Sequence, residues 1–347
     1  MSNGRSTEGG QGTSGTPNPV DVRPDTDTGG NIFSPTQQLT TMAEAEQVWT
    51  TAAMEAAQPC DVIEIDEDAL GDSAAVADQD AGGLSSGGRP ADGDGDGQDA
   101  QAADVETLGY AYPPPFTRYE NFADYSLWPY RTVGKLFFKQ GGSSFVCSAS
   151  SIGGCAIITA GHCVHQGNDS PGGWATDVIF VPAYKDGNAP FGQWPANYLV
   201  TRTQWYRNGI PKGLSEDIGG AVLHRQGGRT ISERVGFLGF AWNWKREQHW
   251  HSMGYPAAAP FDGRRMQICA SSYAYDGSVG ATPNPVGAGN DLTGGCSGGP
   301  WVWQFGTGNY VNGVNSYRRS THPLELYSPY FGDAAKSLFD TIRAGTC

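Results

Sequence analysis

The first 107 residues lack what a folded core needs. Their only aromatic side chains are Phe33 and Trp49, and three basic residues stand against 21 acidic ones, a net of −18. A segment so poor in apolar side chains and so rich in like charge buries too little apolar surface to offset chain entropy, and a largely disordered acidic segment is expected over 1–107. The chain has no apolar run of membrane-spanning length, so no helical membrane partner or anchor is expected. Met1–Gly30 lacks the charged-then-apolar pattern and small-residue cleavage site of a secretory leader. No CxxC pair occurs, so neither a zinc ribbon nor a redox motif is expected. No basic patch suggests nucleic acid.

The acidic segment carries two local patterns. Ser34-Pro35-Thr36-Gln37 has the form of a helix start, and Leu39, Met42, Trp49, Ala53 and Ala56 could share one face of a helix near 35–58. That helix is either docked on the rest of the chain as part of a pro-region or isolated in a tail. Asp92, Asp94, Asp96 and Gly97 mimic half a calcium loop, but Ala103 stands where a bidentate carboxylate is needed, and a solvated linker is the expectation.

Residues 108–347 are different: 15 acidic and 19 basic side chains, a net of +4, and nearly all the aromatic residues. Short apolar and β-branched runs alternate with Gly, Pro, Asn and Asp turns, among them Thr132–Phe138, Ser144–Ser150, Ala156–Thr159, Gly220–Leu223, His249–Gly254 and Tyr310–Ser316. That texture predicts an all-β barrel or sandwich of about 240 residues. One helix is expected at Asp333–Arg343, with Leu338, Phe339 and Ile342 inward and Gly345 past its end. Of seven cysteines, six lie in this part. Disulfides are expected, and with them an oxidising, extracytoplasmic compartment, although no leader is visible. The odd number leaves at least one thiol free or intermolecular.

Three stretches carry chemistry: Thr159-Ala160-Gly161-His162-Cys163, then Glu216-Asp217-Ile218, then Gly294-Gly295-Cys296-Ser297-Gly298-Gly299-Pro300. A serine hydroxyl is a poor nucleophile at neutral pH. It needs a base, and the base needs a third group to hold its tautomer. Histidine suits the first role and a buried aspartate the second. In the order His, Asp, Ser the three predict a nucleophilic triad of His162, Asp217 and Ser297, with the N–H groups of Gly295 and Ser297 as oxyanion donors.

These residues resemble the chymotrypsin/trypsin superfamily of serine peptidases. The family's TAGHC and GxSGGP signatures stand at 159–163 and 295–300. The resemblance spans about 110–347 and implies two six-stranded antiparallel β-barrels with the site between them, His162 and Asp217 from the first and Ser297 from the second. It also implies a Cys147–Cys163 disulfide, a substrate-lining strand at Asn312–Tyr317 with Ser316 and Tyr317 in the cleft, and a C-terminal helix. The protein would then be a serine endopeptidase needing no cofactor or metal, its partners a peptide substrate and its own pro-segment.

Departures from the family matter. Cys296 stands where trypsin-like members carry the Asp that pairs with a new N-terminus, so activation must differ. Thr293-Gly294-Gly295 is closer to the bacterial glutamyl-endopeptidase (V8-like) branch. Cys296 is expected to pair with Cys269, tethering the nucleophile loop. Cys60, Cys155 and Cys347 are unassigned. Asp291, six residues before Ser297, is either a pocket-floor carboxylate favouring cleavage after Arg or Lys, or a turn cap. Cleavage after basic residues is the expectation; glutamyl specificity is the alternative, for which Arg318 and Arg319 are the available cations.

Two other features carry bland expectations. His249 and His251 flank Trp250 on one strand, but no third metal ligand is near. Trp242, Trp244 and Trp250 read as packing. Two other function classes compete. An α/β-hydrolase is excluded, since only His322 follows Ser297, with no acid between them. An inactive protease-like binding module would usually have lost a triad residue.

Overall fold

A computed structural model of the chain describes Met1 and residues 26–66, 82–89, 113–120 and 124–347. The acidic segment contributes strand β1 (Asn31–Phe33), helices α1 (Met42–Val48) and α2 (Thr51–Ala56), and strands β2 (Gln58–Pro59), β3 (Ile63–Ile65) and β4 (Gly83–Ser85). The expected single helix is two. Thr41, not Ser34, caps α1 in a capping box with Glu44, and Thr50 caps α2 through the Ala53 N–H. Between the caps Trp49 leaves the helical conformation and buries its indole. Its ring lies 5.6 Å from Phe137, and Nε1 donates to the Asp177 carbonyl at 2.7 Å. Leu39, Ala45 and Met54 complete the docked face, while Ala56 is exposed. The helices therefore sit on the body rather than apart from it. The Asp92–Gly97 stretch lies outside the described residues.

After β5 (Phe116–Glu120) come β6 (Val133–Gln140), β7 (Ser143–Gly153), β8 (Ala156–Thr159), β9 (Thr176–Pro182) and β10 (Trp194–Arg202), then α3 (Thr203–Asn208) and β11 (Gly219–Leu223). These six strands, β6 to β11, form a closed antiparallel barrel in the order β10-β11-β8-β7-β6-β9, with β9 returning to β10. Strand alternation builds its interior: Leu136 and Phe138 join Cys147, Ile157, Phe180, Leu199 and Leu223 in one cluster. Phe137, between them, belongs to another cluster with Trp49. Strands β1 and β2 add to the barrel at β10 and β7.

Beyond α4 (Ile231–Val235) lie β12 (Gly239–Trp242), β13 (His249–Gly254), β14 (Gln267–Asp276), β15 (Val286–Gly289), β16 (Pro300–Trp303), β17 (Tyr310–Val314), β18 (Tyr317–Arg319) and β19 (His322–Ser328). They form a larger sheet, ordered β3-β18-β19-β15-β14-β13-β16-β17-β12-β4, with β5 on β14. The second six-stranded barrel is thus not closed. Where β17 approaches β19, the Val314 N–H donates to the Ser328 hydroxyl at 2.9 Å rather than to a ladder carbonyl. Both ends of this sheet are strands of the acidic segment, β3 and β4.

Helix α5 (Asp333–Arg343) follows, with Leu338, Phe339 and Ile342 buried as the sequence predicts and Phe339 stacked 4.3 Å from Phe240. A Cys155–Cys347 disulfide ties the residues after α5 to the turn between β7 and β8.

Candidate active site

His162 lies in a 3-10 turn, Gly161–Cys163, just after β8, and the Cys147–Cys163 disulfide fastens that turn to β7. Asp217 follows the 3-10 turn Lys212–Glu216 and precedes β11, the strand paired to β8. Barrel register therefore brings two residues 55 positions apart into contact. Asp217 Oδ2 meets His162 Nδ1 at 2.7 Å, and Oδ1 accepts the His162 backbone N–H at 2.7 Å. The Ser316 hydroxyl donates to Oδ2 at 2.6 Å. Asp217 is wholly buried, so these three donors replace water. They hold His162 with Nδ1–H toward the carboxylate and Nε2 as the free lone pair. The Trp205 ring stands edge-on to the imidazole, 6.2 Å away. Nε2 is buried and makes no hydrogen bond among the described residues.

Ser297 sits in the turn entering β16. Its backbone carbonyl accepts the Ser148 N–H at 2.8 Å, and its buried hydroxyl has no hydrogen-bond partner among the described residues. Gly295 has φ 94° and Gly298 φ 77°, a region side chains avoid. A Cβ on Gly298 would also collide with Thr159 Oγ1. The Gly295 carbonyl accepts from Ser148 Oγ at 2.9 Å, and the Gly295 N–H donates to the Cys60 carbonyl at 2.8 Å. Cys60 also reaches the histidine: Sγ of Cys60, Sγ of Cys147 and a ring nitrogen of His162 lie within 4.8 Å of one another. With Cys147 in a disulfide, that trio has no third free ligand and does not fit a metal.

The loop that carries Ser297 is not tethered as expected. Cys269 and Cys296 are free thiols, as is Cys60. Burial pushes the Cys269 and Cys296 thiols up to about 12, and Cys269 Sγ turns to the Gly289 carbonyl. The tether is Asn315, fully buried between β17 and β18. Its Nδ2 donates to the carbonyls of Cys296 (3.0 Å) and Met253 (3.2 Å), and its Oδ1 accepts from Ser252 Oγ (2.7 Å) and Trp301 Nε1 (2.8 Å). All four hydrogen-bonding positions of the amide are used.

Ser316 turns its hydroxyl to Asp217 rather than outward. Tyr317 is buried and stacked on Tyr327 at 4.7 Å, so only its backbone lines the groove, where it pairs with Ile63. Asp291 bonds Arg118 Nε at 2.9 Å, and the turn beside it is capped by Asn290, whose Oδ1 accepts the Leu292 N–H. Arg318 is buried, donating to the carbonyls of Leu292 and Pro323. His249 bonds Ser272 and His251 packs on Phe305 at 4.6 Å. Ser148, Asn315, Trp205 and Cys60 were missed by sequence reasoning. Each acts on residues far away along the chain, so its role could not be read locally, even for Asn315 within the Asn312–Tyr317 stretch.

No protein-family model matches the chain, and no curated protein does. Among solved structures it is similar to the protease Anisep from Arthrobacter nicotinovorans, with 36% identity and a TM-score of 0.56 over 62% of this chain and 96% of that one. It is similarly close to the thermostable serine protease AL20 from an extremophilic microorganism, with 35% identity and a TM-score of 0.57 over 62% and 98%. A Glu endopeptidase in complex with MPD, 19% identical with a TM-score of 0.50, shares the fold. Identity of this order across almost the whole of two proteases, together with the closed barrel and its buried His–Asp pair, means that the chain belongs to the trypsin-like superfamily of serine proteases.

Proposed function

We propose that the protein is a serine endopeptidase acting through Ser297, His162 and Asp217, with 108–347 as the peptidase domain and 1–107 as its acidic pro-region. The observation that carries this is the His162–Asp217 pair, buried and locked in the tautomer a general base requires. Ser297 Oγ attacks the substrate carbonyl as Nε2 of His162 takes its proton. The N–H groups of Gly295 and Ser297 receive the oxyanion. His162 then protonates the departing amine, and water releases the acyl-enzyme by the same steps in reverse. The Asp217 carboxylate, bound to Nδ1–H, offsets the imidazolium charge.

On specificity, Asp291 is already paired with Arg118, so a basic substrate side chain would have to displace a resident cation. That weakens the basic reading. The buried Arg318, facing no carboxylate among the hydrogen bonds it makes, favours the glutamyl alternative. The disulfides suit an extracytoplasmic site.

The chain, before or after limited proteolysis of its acidic segment, should hydrolyse peptides. Ser297→Ala and His162→Ala handled identically should lose at least ~10³-fold in kcat, and Asp217→Asn roughly 10⁴-fold. Activity retained in Ser297→Ala would remove the proposal. Full activity on an unnicked chain would remove the pro-region part alone.

A further inference from the structure

The groove between β7 and β18 holds an extended segment of the acidic region. Gln58 and Pro59 pair with Phe145 and Val146 of β7, and the Cys60 N–H donates to the Val146 carbonyl at 2.9 Å. The Cys60 carbonyl then takes the Gly295 N–H. Val62 packs among Leu292, Cys296 and Trp301, and Ile63 to Ile65 pair with Tyr317 to Arg319. Ile65 is 2% exposed, packed with Trp205, Leu214 and Tyr317. The segment visits β7 first, the oxyanion donor second and β18 last. Both of its pairings are parallel.

A cleavable peptide cannot lie that way. Its leaving nitrogen must stand where His162 can protonate it. His162 is bound to the β7 side by the Cys147–Cys163 bridge. A substrate therefore enters along β18 and leaves along β7, antiparallel to both. In the bound segment, the nitrogen that cleavage after Cys60 would release belongs to Asp61. Asp61 heads the other way, over Gly294, where a Cβ would come 3.1 Å from its Oδ1. What faces His162 is the Cys60 side chain. Burial, and then the charges of Asp61 and Asp217, push its thiol up to about 12.

Resting on the endopeptidase reading above, we infer that residues 58–65 are an inhibitory ligand of the active-site groove, bound with reversed chain polarity. They fill the oxyanion donor, the leaving-group side and the β18 edge with a peptide that the enzyme cannot cut. On this inference the groove holds an extended peptide uncut in the direction seen here and hydrolyses one that runs the other way.

The test uses the full chain and its Val62→Asp/Ile65→Asp variant, with a small activated ester as substrate and a fluorescent synthetic peptide of residues 57–66. The variant should hydrolyse the ester at least tenfold faster than the parent. The peptide should bind the variant, return its rate towards the parent's, and remain uncut by mass spectrometry. Equal rates in parent and variant would overturn the inference while leaving the peptidase intact. Scission at Cys60–Asp61 would overturn the reversed polarity. If neither protein turns over ester but the peptide still binds the variant, the peptidase reading fails and the docking stands. If the peptide does not bind a folded variant, the docking fails.

Discussion

At the scale of single residues, function rests on buried polar groups whose partners lie on other strands. Asn315 satisfies two carbonyls and two donors at once. Asn315→Ala leaves all four in a dry interior, each worth about 1–3 kcal/mol when unpaired, although local relaxation recovers part of that. We expect a loss of about 3 kcal/mol or more in denaturant unfolding, with kcat reduced at least tenfold because the Cys296 carbonyl is released. A variant with unchanged kcat would show that the Ser297 loop holds itself. His165 is a second case. Its Nε2 donates to the Ser170 carbonyl and its Nδ1 accepts the Gly167 N–H, with Tyr206 stacked at 4.1 Å. Only the neutral ring can do both. Burial, the largest cause, lowers its pKa to about 4 from an ordinary 6.5. The unfolded chain therefore takes up a proton that the native chain refuses. The stability is present above about pH 6.5 and is lost as pH falls towards about 4. His165→Gln should flatten that acid limb by about 1–2 kcal/mol across the same interval; an unaltered slope would assign it elsewhere.

At the scale of elements, periodicity made the strands legible, and α5 falls on its expected bounds because an amphipathic helix near a chain end is read from local spacing alone. The helix near 35–58 was legible as a helix but not as two, because the break is set by where Trp49 finds its pocket against Phe137, a contact between residues far apart along the chain. Cys155–Cys347 was not legible either, since 192 residues separate the partners and only the docking of α5 brings them together. That bridge closes a long loop, so Cys347→Ser should cost about 2–5 kcal/mol and free α5 to exchange amide hydrogens faster than the barrel strands. Uniform exchange would show that apolar packing alone holds the helix. Trp49→Ala should undock α1 and α2. Removing a buried indole costs about 3–5 kcal/mol, and the segment should become cleavable by added protease at concentrations that leave the parent whole.

At the scale of the molecule, composition divides the chain into an acidic part and an aromatic-rich part, and it misjudges how they relate. Composition treats 1–107 as uniform, whereas a few apolar residues, Leu39, Trp49, Met54, Val62 and Ile65, are enough to seat 26–66 against the body. The His162–Asp217 pair was legible because each residue stands in a motif compact in sequence; among the described residues the Ser297 hydroxyl makes no hydrogen bond to it. The occupied groove was not legible, since nothing in Gln58–Ile65 marks it as a partner of Gly295. The proposed chemistry requires that Ser297 be the nucleophile that His162 activates. The most direct test is the mass of the released or variant-opened chain after a fluorophosphonate probe. The prediction is one adduct per molecule, mapped to Ser297 and absent in His162→Ala. An unlabelled but folded chain, or an adduct on any other residue, would contradict it.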